Sequence, residues 1–248
     1  MTPPGMPISL PMEMGRERVE VLTRYGLREV FLAIVVFGGG AAALAYWVTP
    51  WAAIAPAVPL LFTLYFFRDP YRSIPGDGNT IVSPADGKVV DIEEVDEPEV
   101  IGGKAVRVGI FLSILDVHLN RAPLAGRVTF VKYRPGKFFA AFNKRASAEN
   151  ESNTVGLEAD VTPGGKPLLL KVKQISGIIA RRIVCACNEG HELARGERFG
   201  MIKFGSRTEL YLPVGAAELA VGIGDKVRGG RTVIGTVAGA SGRKGDEG

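Results

Sequence analysis

"GMIKFGSRTELYLP", residues 200–213, reads as a short apolar strand, a bare Gly205-Ser206 pair, and a second strand in which Thr208, Leu210 and Leu212 alternate with Glu209, Tyr211 and Pro213. Alternation with a period of two is the signature of a half-buried strand. The pair between the runs reads first as a bend, because glycine relaxes the backbone and serine caps turns. The same texture extends outward on both sides from about Ile74. "TIVSPADGKVVDIEEV", "KAVRVGIFLSIL", "GRVTFVKYRPG", "PLLLKVKQIS", "ARRIVCACNEG" and "RTVIGTVAG" are all short β-type runs punctuated by Gly, Pro and Asp. In this region only "FFAAFNKRASAENE", Phe138 to Glu151, has a helix-like composition. These runs predict a mainly β fold, a β-sandwich or distorted barrel with few helices.

A weak internal echo lies within it. "GHELARGERFGMI" from Gly190 and "GDKVRGGRTVIGTV" from Gly224 share the pattern Gly, two polar residues, an aliphatic residue, two more residues and Gly. Together with "SPADGKV" from Ser83, such turns are similar to those of lipoyl and biotinyl carrier domains. That similarity implies duplicated β-hairpin units.

The region ahead of the β runs is different. Val30 to Val48, "VFLAIVVFGGGAAALAYWV", carries no charge, and "WAAIAPAVPLLFTLYFF" from Trp51 to Phe67 carries none either. Each is close to the length that crosses a bilayer. Arg24 and Arg28 precede the pair, Arg68 and Arg72 follow it, and the central turn has no basic residue. By the positive-inside rule this is a membrane hairpin with both ends in the cytoplasm, and Trp47, Trp51, Tyr65, Phe66 and Phe67 suit interfacial positions. Pro56 and Pro59 leave a re-entrant or monotopic second arm open. The expected organisation is a polar segment over 1–28, the hairpin over 29–68 and a β-rich domain over 69–248, at the cell membrane and on its cytoplasmic side.

The net charge of +4 is mild, and the Lys and Arg residues are spread along the chain instead of forming a nucleic-acid-binding tract, so contact with anionic lipid fits better. Cys185 and Cys187 are two apart, on one face of a strand; they read as reduced and packed, and no further Cys or His completes a metal site. There are only two histidines. His191 sits in a polar turn, opposite Asp225 in the echo, and reads as solvated. His118, at the end of an apolar run in "FLSILDVHLNRAP", is the better site candidate. Asp86 in "SPADGKV" is either a hairpin turn residue or an acid. Asp86, His118 and Ser206 are the residue types of an oriented base acting on a hydroxyl nucleophile. The elbow G-x-S-x-G is absent, since the local sequence is F-G-S-R-T. A membrane-anchored serine hydrolase and a membrane-tethered, lipoyl- or biotinyl-like binding domain both stand as alternatives on these residues.

"FFRDPYRSIP", "VSPADGKVVDI", "DVHLNRAP", "GKFFAAFNKRASAENE", "ARRIVCACNEG" and above all "RGERFGMIKFGSRTELYLP" together resemble the short bacterial and archaeal form of phosphatidylserine decarboxylase. The resemblance runs in order from about Phe31 to Val237. It implies a proenzyme that cuts itself between Gly205 and Ser206, giving a large chain 1–205 and a small chain 206–248. Ser206 would become a pyruvoyl group that forms a Schiff base with phosphatidylserine, releasing carbon dioxide and leaving phosphatidylethanolamine. His118, oriented by Asp86, would be the base for processing and the proton donor for turnover. Many longer members carry a second histidine where this chain has Arg121, so one histidine would serve both steps or another group would help. Arg121, Lys137, Lys144 and Arg145 are candidates for the lipid phosphate. The motifs are compatible with an oligomer and with either ester- or ether-linked lipid chains.

Overall fold

The computed structural model describes residues 21–141, 143–163, 166–178, 182–203 and 205–239, with the side chain of residue 144 outside that set. The expected polar segment over 1–28 therefore lies largely outside the described residues. Two compact units emerge, Arg16–Tyr71 and a second containing Arg72–Gly248.

The first unit is a helical hairpin. Helix α1 (Leu27–Ala33) continues through a π-turn at Ile34–Gly38 into α2 (Gly39–Trp47), so that Arg24–Trp47 is one apolar helix of 24 residues, long and apolar enough to cross a bilayer. Thr49 caps the return arm by accepting the Trp51 N–H, with Pro50 in the first turn, where its missing N–H costs nothing. The shorter arm ends in α3 (Ile54–Phe66). Pro59 lies inside α3, and the Thr63 hydroxyl donates to its carbonyl at 2.8 Å. The two ends are clasped by Thr23 N–H to Phe67 O at 2.9 Å and Asp69 N–H to Val21 O at 3.0 Å. Gly26 is required there, because a Cβ would overlap the Phe67 ring. Away from this base the apolar side chains point outward: Tyr46, Trp47 and Trp51 at the turn are about 80% exposed.

The second unit is mainly β. In chain order its strands are β1 (Thr80–Val82), β2 (Gly87–Glu97), β3 (Gly103–Leu112), β4 (Leu119–Arg121), β5 (Gly126–Arg134), β6 (Ser152–Ala159), β7 (Leu168–Ile175), β8 (Ile183–Cys185), β9 (Glu192–Leu193), β10 (Arg198–Ile202), β11 (Ser206–Pro213), β12 (Ala217–Leu219), β13 (Lys226–Val227) and β14 (Val233–Val237). An eight-stranded antiparallel sheet, β13-β2-β3-β11-β7-β6-β5-β9, curls into a half-barrel, and two three-stranded sheets, β1-β14-β12 and β4-β10-β8, complete the unit. The expected mainly β fold behind a helical hairpin is what forms. Two readings of detail change. The Asp86-Gly87 step is not a hairpin turn, since β1 and β2 belong to different sheets. Of "FFAAFNKRASAENE" only α4 (Lys144–Glu149) is helical, with Asn143 as its N-cap.

Strand parity sets two faces on the large sheet. Val89, Val108, Ile110, Leu112, Val155, Leu157, Leu170, Val172, Leu210 and Leu212 all join one buried apolar core, together with Ile81, Phe199 and Ile234 from the small sheets. Asp91, Arg107, Lys171, Lys173, Arg207, Glu209 and Tyr211 lie on the other face, where Ser147 of α4 donates to Glu209 at 3.1 Å. The echo is structural as well. Gly190 and Gly224 open β9 and β13, and Gly196 and Gly230 close them, all four with positive φ.

Candidate active site at the Gly205-Ser206 corner

β10 and β11 belong to different sheets, so the chain must turn sharply between them, and Gly205 makes that turn at φ +57. An L-residue there costs roughly 1–2 kcal/mol of backbone strain, which glycine avoids. Ser206 then enters the middle of the large sheet as the first residue of β11, opposite Leu112 of β3. It is fully buried on the core face, and among the described residues its hydroxyl has no hydrogen-bond partner. Such an orphan costs about 1–3 kcal/mol, a sizeable share of the marginal stability of a domain. Buried groups left unpaired at a glycine corner are where reactivity is to be sought.

His118 reaches the same corner from the turn after β3. That turn is fixed by Asp116, whose carboxylate accepts the Ser113 N–H at 2.8 Å while its own N–H donates to Ser113 O. The His118 ring is fully buried. Its Nδ1 lies 3.0 Å from the Asp116 carbonyl, and its Nε2 accepts the Gly205 N–H at 3.1 Å. A carbonyl can only accept and an amide N–H can only donate, so this pair of contacts fits the neutral ring with its proton on Nδ1. The basic atom, Nε2, is thereby aimed at the residue before Ser206. The His118 carbonyl also accepts the Ile202 N–H, joining the same turn to β10.

The carbonyl of Gly205 faces Gly177. A Cβ at Gly177 would overlap that oxygen, so only glycine admits the carbonyl there. Below Ser206 on the same face a buried chain of side chains links four strands, β6, β7, β4 and β11: Asn153 donates to Gln174 at 3.0 Å, Gln174 to Asn120 at 2.8 Å, and Asn120 to Thr208 at 2.9 Å. Every link is buried, which locks the row beside the serine. On the opposite face Arg207 is clamped between Asp91 at 2.6 Å and Glu209 at 2.7 Å. Burial would raise the Glu209 carboxyl, but the Arg207 charge and the Tyr211 hydroxyl outweigh it and hold the carboxyl below its ordinary range.

The remaining candidates occupy other places. The Asp86 carboxylate binds Arg72 at 2.7 Å and the Gly229 N–H at 2.7 Å, so its described contacts do not include the His118 ring. Burial pushes the Asp86 carboxyl up, against the pull of Arg72. The orienting contact seen for His118 is the Asp116 backbone, which lies two residues away and carries no sequence signal. Arg121 is buried, with Nη1 donating to Gly196 O at 2.8 Å, while Gly230 packs on its Cδ. It thus spans the two turns of the echo, a place unlike that of a surface phosphate ligand. Lys137 and Arg145 are exposed, and both pair with Glu149. The Lys144 side chain lies outside the described residues. Cys185 and Cys187 are buried free thiols with sulfurs 3.6 Å apart. Gly177 and Asp116 were missed by sequence reasoning; a lone Gly after a strand and a backbone carbonyl in a turn are too common to single out.

Comparison with known proteins places the chain. The family model for phosphatidylserine decarboxylase matches residues 60–235. The chain is similar to the phosphatidylserine decarboxylase proenzyme of Carboxydothermus hydrogenoformans, 43% identical over 92% of this chain and 99% of that protein. The corresponding protein of Symbiobacterium thermophilum is 50% identical over 71% of this chain and 79% of its own length. That of Rhodopirellula baltica is 46% identical over 85% and 86%.

Proposed function

Because the chain belongs to the phosphatidylserine decarboxylase family, we propose that it is a membrane-associated proenzyme that cuts itself between Gly205 and Ser206 and then decarboxylates phosphatidylserine to phosphatidylethanolamine. The observation that carries this reading is the buried Ser206 hydroxyl, without a hydrogen-bond partner among the described residues, directly after a left-handed glycine that His118 holds by its N–H.

The chain's own residues account for the cleavage. The Ser206 oxygen adds to the Gly205 carbonyl carbon, the Gly205–Ser206 C–N bond breaks, and an ester replaces the amide. The hydroxyl proton passes to a base and the new amine takes one up. His118 Nε2 is the basic atom at this corner, and it serves once it exchanges the Gly205 N–H for the hydroxyl. Removal of the Ser206 Cα proton then expels the Gly205 carboxylate as the C-terminus of the large chain. The dehydroalanine left behind takes up water and loses ammonia, so the small chain begins with a pyruvoyl group.

The residues around Ser206 suit such a terminus. β3 and β7 pair with β11 on both sides, the Asn153-Gln174-Asn120-Thr208 row fixes its core face, and the Arg207 clamp fixes the next residue on the other. A pyruvoyl group there supplies the carbonyl that takes up the substrate amine and accepts the electron pair left as carbon dioxide departs. A lipid substrate is favoured by the surroundings. Ile114, Leu115, Phe138 and Ile178 are all at least 40% exposed. Ile114 lies 3.9 Å from where a Gly205 Cβ would sit, and Ile178 follows Gly177. The apolar hairpin with its exposed aromatic turn adds a means of holding the protein at the bilayer, with the basic ends on the cytoplasmic side.

Intact-mass measurement of the purified, detergent-solubilised protein tests the reading. The expected result is two chains split at Gly205, the smaller lighter than Ser206–Gly248 by one ammonia and lacking a free amine. Ser206→Ala should give one uncut chain with no decarboxylation. Retained activity in that variant would refute the mechanism.

A further inference from the structure

Asn150 ends α4 and is completely buried. Its side-chain amide makes three hydrogen bonds of 2.8 Å: Oδ1 accepts the Phe139 N–H, and Nδ2 donates to both Phe139 O and Ser176 O. The orientation of the amide is fixed by chemistry, because the partners are one N–H and two carbonyls, and reversal would set like against like in all three. Asparagine is therefore demanded. An aspartate of the same shape would satisfy Phe139 N–H but turn lone pairs on two carbonyls.

Both tethered segments lead to one place. Ser176 is followed by Gly177, against which the Gly205 carbonyl rests, and Phe139 leads to Ala141, whose Cβ is 3.4 Å from where a Gly177 Cβ would sit. The backbone reinforces the tie, with Ser176 N–H donating to Glu151 O at 3.0 Å and Lys137 N–H to Glu149 O at 2.8 Å. Asn150 thus holds the two segments that flank Gly177 while touching neither Gly205 nor Ser206 in the described contacts. We propose that Asn150 is a positioning residue for self-cleavage, acting through Phe139 and Ser176 on Gly177 and so fixing the scissile carbonyl for attack by Ser206. The proposal rests on the self-cleaving reading above.

The test is the first-order rate at which freshly purified proenzyme releases the small chain, for wild type, Asn150→Ala and Asn150→Asp. Folding is checked by the thermal melt of each substitution in a Ser206→Ala background, where no cleavage intervenes. A misplaced carbonyl is expected to slow release about a hundredfold at temperatures well below the melt. The rate well below the melt separates misplacement from loss of stability, and hydroxylamine identifies the step that is slowed. It cleaves the ester, leaving a small chain that starts with unmodified Ser206, so a variant blocked after ester formation is rescued and one blocked at attack is not. Lack of rescue is expected for both variants.

A wild-type rate in a folded variant overturns the proposal, as does an ester that accumulates and yields to hydroxylamine. If Asn150→Ala gives no cooperative melt, Asn150→Ser decides by the same rate, since it keeps a small polar group at the helix end. A wild-type chain that never splits would instead refute the self-cleaving reading itself.

Discussion

At the scale of single residues, two glycines are required at the corner for different reasons. Gly205 has room for a side chain, with Ile114 at ordinary contact distance, so its demand is conformational: a positive φ that costs other residues roughly 1–2 kcal/mol. Gly177 has unremarkable φ, and its demand is steric, because any Cβ would occupy the space of the Gly205 carbonyl oxygen. Gly177→Ala should therefore displace that carbonyl and slow self-cleavage by about a hundredfold or more, measured as small-chain release on a denaturing gel. Cleavage at the wild-type rate would show that the carbonyl does not need this seat. Of these features, Gly205, Ser206 and His118 were singled out by the collinear motifs that resemble the family, whereas on residue pattern alone the Gly-Ser pair reads first as a bend. Gly177 was not, since its role is set by an oxygen that is close only after β7 and β11 have paired.

At the scale of elements, the charged face of the large sheet explains what α4 is for. A buried carboxylate or ammonium is tolerated only when paired and hydrogen-bonded. The short helix supplies such partners through Ser147, whose hydroxyl donates to Glu209 and whose carbonyl accepts from Lys173 at 2.8 Å. Burial nevertheless pushes the Lys173 ammonium down to about 8 from its ordinary 10.5. Between those values the unfolded chain keeps the proton that the folded chain has released, so this group's contribution to stability rises with pH across that window. The melting temperature of the wild type relative to Lys173→Met is expected to rise from pH 8 toward pH 10.5, followed by circular dichroism. A flat difference would mean that Lys173 keeps its proton in the fold. The sequence suggested a helix over Phe138–Glu151, but the chain gives Phe138–Ala141 to the tethers around Gly177 and leaves only Lys144–Glu149 helical. Composition could not reveal that, because it does not show the Asn150 side chain bonding back to the Phe139 backbone eleven residues earlier.

At the scale of the whole molecule, a cut at Gly205 would divide the strands without dividing the fold. Residues 206–239 carry β11 to β14, and these pair with β3 and β7, with β2, and with β1, all on the other side of the cut. β11 lies inside the eight-stranded sheet, and Leu210 and Leu212 are buried in the core. The two products should co-elute as one species in native size-exclusion chromatography and separate only in denaturant; separate elution in native buffer would contradict this topology. The sequence by itself determined the mainly β fold and the apolar hairpin, because period and charge-free length are local properties, and its ordered family-like motifs marked Gly205-Ser206 and His118 as candidates. The tertiary structure alone decided that Asp86 meets Arg72 while Asp116 orients His118, that Arg121 spans the repeated turns, and that Asn150 ties Phe139 to Ser176 beside Gly177, against which the Gly205 carbonyl rests. Those are contacts between distant segments, fixed by strand order and register, and neither is encoded in the pattern of any one strand.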